Sequence, residues 1–350
     1  MKNPINTLER FVSLVKDHRS ANHPLFAIIE SAAKNDTLSR EMYSIFSVNI
    51  AARTMLSLPE IHACCIQAAL DLDPLRTAYS VMTGAEEGGS GKPDQVHSVL
   101  MMNALNNHGR IVFELAALDL KCLMALIRLV HACGKYIRLI RIEMAFPGID
   151  SELDFADFTD RSEIIDCCYR MAISVGIEFD KNASHGLAEI EALEKVAEKQ
   201  LSDFGVLPET VSYCLAQLDV LTKMKTGYLQ GVGFAHEALA DGMIDSMFKI
   251  MYAHRNKYVS EDEFLNSVYP YFEAHGNYID VYKGLSKESE GVEVIHAQRE
   301  LEKLSRLDDD ALEIAWQGAN DFADRNVGIW DGMLAVLQQT AKFAPNLTLR

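Results

Sequence analysis

A chain of 350 residues with 49% hydrophobic side chains can bury one large core or two modest ones. Its formal charge of −17, with no block of like charge, weighs against nucleic-acid and anionic-membrane partners, and no apolar run is long enough to span a bilayer. Seven cysteines without a CxxC pair argue for reduced thiols in a cytoplasmic protein and against a cysteine zinc site, and the start Met1-Lys2-Asn3-Pro4 leads into polar sequence rather than an apolar signal core.

Helical periodicity runs the length of the chain and predicts an all-α fold. Helices are expected at about 6–18, 23–34, 38–56, 60–81, 95–107, 109–137, 161–176, 185–204, 209–226, 228–255, 261–282, 291–306 and 309–341. Residues 209–226 illustrate the pattern, with Val211, Cys214, Leu215, Leu218, Leu221 and Met224 at three- and four-residue steps behind a first-turn Pro208. Ser57-Leu58-Pro59 and Asp73-Pro74 read as similar starts, and Ser260 to Glu263 has capping-box spacing. No segment alternates like a strand. Gly88–Pro93 reads as a flexible loop between helices, and 146–160 as an acidic, non-periodic connector.

Several polar residues on these helices carry donor atoms suited to a metal. Glu86 and Glu87 precede the glycine loop, and His97 follows it at the start of an apolar helix. Glu237 lies among Gly233, Phe234, Ala238 and Leu239, where a carboxylate is costly to bury without a partner; Asp241 and Asp245 continue its face, so an acidic solvent stripe is the alternative. His275 follows Tyr271 and Phe272. Imidazoles and carboxylates projecting inward from several helices are how helical bundles hold non-haem iron. His131, His236, His254 and His296 read as ordinary surface or core histidines, and Met101, Met102, Met243, Met247 and Met251 as core filling.

The order of these segments resembles the haem-oxygenase-like di-iron oxidase and oxygenase family. His23-Pro24-Leu25 and Leu38-Ser39-Arg40-Glu41 look like that family's first two helices. Glu86-Glu87-Gly88-Gly89 with His97 is similar to its glutamate–glycine-loop–histidine motif, Gly231–Glu237 to its middle helix, and Tyr271–His275 to the opening of its last ligand helix. Among the two glutamates, Glu86 has the Glu-x-Gly spacing of the family. The long interval between His97 and Glu237 implies inserted helices at about 110–200 within a single helical domain spanning 1–350. The family's last motif is a histidine, a carboxylate four residues on and a histidine three further on. Here Ile279 and Tyr282 stand at those offsets from His275, and Asp280 comes one residue late. On a regular helix Asp280 points about 140° away from His275; a π-bulge near Gly276-Asn277 would bring it round and put Lys283 in the second histidine's place.

The resemblance implies an iron-dependent oxidoreductase, with one or two irons or manganese, that uses O2 on a small amine, amino acid or fatty acid, as in natural-product biosynthesis. The implied ligands are Glu86, His97, Glu237 and His275, with Asp280 completing the set if the helix bulges. Expected partners are a small-molecule substrate and, in the assembled state, a second copy in a homodimer. Two alternatives stand beside this reading: a metal-free enzyme of the same fold, thiaminase-like or a cofactorless oxidase, using Tyr282, Glu237 and His275 as acids and bases, and a non-enzymatic binding or scaffold protein.

Overall fold

The computed structural model describes residues 4–145, 161–178, 186–223, 227–285 and 292–342, and every regular element among them is helical. In chain order the α-helices are α1 (Pro4–Asp17), α2 (Pro24–Lys34), α3 (Arg40–Thr54), α4 (Ser57–Leu70), α5 (Pro74–Glu87), α6 (His97–Phe113), α7 (Leu120–Ala145), α8 (Arg161–Ser174), α9 (Leu187–Asp203), α10 (Pro208–Lys223), α11 (Tyr228–Ala253), α12 (Glu261–Ser267), α13 (Tyr269–His275), α14 (Tyr278–Tyr282), α15 (Val292–Leu304) and α16 (Asp309–Lys342). The expected acidic connector at 146–160 lies outside the described residues.

Local chemistry explains most of the boundaries. Asp73 caps α5, its carboxylate accepting the Leu75 and Arg76 amides just before Pro74. The single helix expected at 60–81 is therefore two helices. Ser39 caps α3 through the Met42 amide, and Ser260 caps α12 through the Glu263 amide at 3.1 Å. The glutamate of that expected capping box reaches past the cap to the Val259 amide, at 2.8 Å. The helix expected at 261–282 is broken twice, at Val268 before Pro270 and at Gly276-Asn277. The chain thus unwinds where a bulge was expected.

Helix α11 is the centre of the fold. It is apolar on nearly every side, from Leu229 to Tyr252, as a helix surrounded by others must be. It packs against α16, α15, α2, α4 and α1. The α11–α16 contact is close enough to need glycine: a Cβ on Gly231 would sit 1.8 Å from the Ala315 carbonyl oxygen. Helices α8 and α9 both pack on α7, and α7 also reaches α3 and α10. Asn49 on α3 ties this region down. It is fully buried, donates to the Gly205 carbonyl at 3.0 Å, and accepts from the Leu207 amide at 2.9 Å and the Thr210 hydroxyl at 2.7 Å.

Candidate metal centre

Glu87 ends α5 and His97 begins α6, and the loop between them folds back on itself. Gly89 makes that return with φ +75°, where a Cβ would lie 2.7 Å from the backbone of Gln95 and Val96. The reversal sets Nδ1 of His97 2.9 Å from Oε2 of Glu87. The two atoms face each other without the alignment of a hydrogen bond, so this buried imidazole nitrogen has none. Two donors bound cis to one ion at about 2.1 Å stand roughly 3 Å apart, so the spacing already matches an octahedral edge.

His275 ends α13 and brings the third donor. The donor atoms of Glu87, His97 and His275 lie within 4.8 Å of one another, and the two imidazole centroids are 4.4 Å apart. Nδ1 of His275 donates to the Tyr271 carbonyl at 2.6 Å, which places the lone pair on Nε2. A metal-binding histidine is usually held this way by a carbonyl behind it. Burial, then the neighbouring His97, pushes its pKa down to about 4, so the ring is neutral at neutral pH.

Beside these three lies a second layer on α15 and α11. His296, fully buried, approaches Glu237 through Nδ1 at 3.1 Å and Glu86 through Nε2 at 2.9 Å, and stands 3.7 Å from Glu87. Glu86 also receives Arg299 at 2.6 Å. Burial would raise its pKa, but Arg299 and His296 together hold it below the ordinary carboxylate value. One turn further along α15, the Lys303 ammonium is ion-paired with Glu300 and donates to Ser80 at 3.0 Å. Burial raises the Glu300 carboxyl against the opposing Lys303 charge, and its other oxygen, Oε2, is buried without a hydrogen-bond partner.

The structure places four of the five expected residues in two adjoining groups and leaves Asp280 outside them. His97 and His275 do meet. Glu86 does not join them; its neighbour Glu87 does, because successive helical residues diverge by about 100°. Glu237 is buried next to the three, on His296. Asp280 is exposed on α14, since the break at Gly276-Asn277 redirects the chain rather than rotating the carboxylate inward. Tyr282 also stays on the surface, its ring 4.8 Å from that of Tyr252. His296, read from sequence as ordinary, is central. A signal for it existed: His296, Glu300 and Lys303 have the spacing of histidine, carboxylate four residues on and a third group three further on, which places all three on one face of α15.

Two further groups face the same cavity, which measures about 50 Å3 and is lined by Arg53, Ser57, Glu87, His97, Glu237 and His275 among others. His236 donates from Nδ1 to Glu60 at 2.6 Å and accepts the Ser57 hydroxyl at Nε2, at 2.9 Å. Glu60 is 1% exposed, so the carboxylate, the imidazole and the hydroxyl form a fixed chain ending at the cavity. Arg53, at the last turn of α3, is 2% exposed.

No protein-family model, no curated protein and no solved structure matches this chain.

Proposed function

We propose that this chain is a mononuclear non-haem metalloenzyme, with iron(II) held by Glu87, His97 and His275, that uses O2 on a small-molecule substrate. The observation that carries the reading is the convergence of those three donors within 4.8 Å of one another. Two imidazoles and one carboxylate are the donor set of non-haem iron(II) oxygenases, and manganese is the nearest competitor. When bound, iron of this ligation supplies a Lewis acid with coordination positions left for O2 and substrate.

The protein's own groups have definable parts in this scheme. The Tyr271 carbonyl keeps the proton on Nδ1 of His275 and so presents Nε2 to the metal. Glu237, His296 and Glu86 form a continuous chain from a carboxylate 5% exposed to one 39% exposed, which suits them to carry protons between the centre and the surface. Lys303 stands at the spacing of a second histidine and is ion-paired with Glu300. A buried ammonium there disfavours a second divalent ion, which supports one metal rather than two.

The test is metal analysis of protein purified from iron-supplemented cells and of chelator-stripped protein reloaded anaerobically with iron(II) or manganese(II). Close to one ion per chain is expected, with O2 uptake from the iron form. Protein that takes up neither ion would refute the reading.

One observation favours a second reading, a metal-free enzyme using a serine nucleophile. Ser57, His236 and Glu60 have the nucleophile–base–orienter order, at 2.9 Å and 2.6 Å, on the wall of the cavity. Covalent labelling of Ser57 by a fluorophosphonate, lost in His236→Ala, would favour this reading over the first.

A further inference from the structure

Three lysine or arginine side chains are buried among the described residues: Arg53, Arg76 and Lys303. Arg76 is paired with Asp71 at 3.0 Å and Asp73 at 3.1 Å. Lys303 is paired with Glu300. Arg53 has no carboxylate within ion-pair distance among the described residues. Its Nε donates to the neutral Asn326 side chain at 2.9 Å, and its guanidinium lies 5.6 Å from the Phe322 ring centroid. Nη1 is buried and makes no hydrogen bond. The nearby Glu60 meets His236 through Oε2 at 2.6 Å; its Oε1 is buried without a hydrogen-bond partner and is not within ion-pair distance of Arg53. The α3 C-terminus offsets part of the charge, but a buried cation without an ion-pair partner is destabilising. Such a cost is expected at a functional site rather than in a structural core.

Arg53 lines the cavity that holds Glu87, His97 and His275. We infer that Arg53 is an anion-binding residue and that the cavity takes a small carboxylate, held by its guanidinium with the remainder of the molecule toward those three residues. A planar guanidinium fork matches a carboxylate, and a carboxylate would both neutralise the charge and fill Nη1. A water would fill the hydrogen bond and leave the charge. Size limits the occupant: the cavity is about 50 Å3, on a scale where one water needs roughly 10–15 Å3. Formate and acetate are of that order. The surroundings also favour an anion. A depression of about 340 Å3 shares Ser98 with the cavity and is flanked by Lys121 and Arg128, both exposed and neither ion-paired among the described residues. Two such cations on a chain of net charge −17 make this the face by which a small anion would approach.

The inference concerns Arg53 and the cavity, and does not require a metal, so it is tested on metal-free protein. Chelator-treated full-length protein is titrated calorimetrically with sodium acetate and sodium formate at constant ionic strength, with methylammonium chloride as a cation of similar size. Wild type should bind acetate or formate saturably, one per chain, and not methylammonium. Arg53→Met should weaken that binding at least about tenfold, as loss of a charge-assisted pair does. Without acetate it should melt at or above the wild-type temperature, because an apolar side chain removes an uncompensated buried charge. If Arg53→Met does not fold, Arg53→Lys decides: it keeps the charge and loses the fork, and its affinity should fall. The proposal is overturned if metal-free wild type binds neither anion, if binding appears only after iron(II) is restored, or if the variant that folds binds as tightly as wild type. The second of these outcomes would leave the metal reading intact, and uptake of acetate by protein that holds no metal would leave this one intact.

Discussion

Two neighbouring glutamates end α5, and their side chains meet different partners. Glu87 faces His97 at 2.9 Å, whereas Glu86 faces Arg299 at 2.6 Å and His296 at 2.9 Å. A substitution series separates these roles. Glu87→Gln, His97→Ala and His275→Ala should each weaken iron(II) binding by more than the roughly 10–100-fold that follows loss of a supporting hydrogen bond. Glu86→Gln should stay within that range, since it removes the partner of His296 rather than a ligand. Asp280→Asn should leave binding unchanged because Asp280 is exposed. Iron titration of the stripped proteins with a competing chelator checks all five. Equal losses for Glu86→Gln and Glu87→Gln would show the wrong glutamate in the centre. Both glutamates are visible in the sequence as the end of a helix before Gly88-Gly89. Which one turns inward depends on the rotation of α5 about its axis, and spacing to the glycine does not report that.

At the level of elements, two contacts hold the bundle at points sequence periodicity does not mark. Gly231 lets α11 touch α16, where a Cβ would meet the Ala315 carbonyl at 1.8 Å. Gly231→Ala forces the helices apart and should destabilise by about 1–3 kcal/mol or more, as overpacking does. The control is Gly328→Ala on α16, where a Cβ meets nothing within 4 Å; it should be neutral or stabilising by up to about 1 kcal/mol. Urea denaturation of the two variants tests the contrast. Asn49 is the second such point. Asn49→Ala would leave the Gly205 carbonyl, the Leu207 amide and the Thr210 hydroxyl without their shared partner. Each unsatisfied buried group costs about 1–3 kcal/mol, so the loss should exceed that of Thr210→Val, which removes only the hydroxyl. Comparable losses in the two variants would mean that Asn49 is not the tie between α3 and the segment leading into α10. The start of α5 carries a local signal in Asp73-Pro74, although the helix expected at 60–81 runs through it. The break at Val268 was not legible in sequence, because Pro270 also fits the first turn of a new helix.

For the molecule as a whole, buried neutral histidines set the acid limit of stability. His108 and His254 are both buried, with His108 Nδ1 at 2.7 Å from the Tyr258 hydroxyl and His254 Nδ1 at 3.4 Å from His108 Nε2. Burial, then the charge of Lys257, lowers His254 to about 4, with Asp36 opposing. Burial, then His254 and Lys257, lowers His108 well below its ordinary value. Both must be neutral in the fold, while the unfolded chain takes up protons as pH falls through about 6.5. The contribution of both is therefore complete above pH 6.5 and is lost as pH falls below it, for His254 down to about 4. Stability measured by urea at stepped pH should decline over that window by at most on the order of 1.4 kcal/mol per pH unit for each histidine. His254→Gln should flatten the decline. An unchanged slope in that variant would assign the acid loss to other groups. Metal-free wild type should show the further contribution of His275, whose pKa of about 4 has the same sign, and bound iron(II) should oppose it by competing with the proton for Nε2.

What the sequence determined by itself is the part written in short-range chemistry. Three- and four-residue periodicity makes the chain all-helical, Asp73, Ser39 and Ser260 start helices within a turn of themselves, and the glycines before His97 mark a loop between two helices. These signals lie within a few residues of the structure they specify. The candidate site depends instead on which faces meet when distant helices cross. Ser57 and His236 are 179 positions apart, and His296 and Glu86 are 210 apart. Nothing local distinguishes a buried Arg53 from one at the surface, or Glu87 from Glu86, because the rotation of each helix is set by its packing against α11, α15 and α16. Only the tertiary structure decides which polar side chains share a cavity.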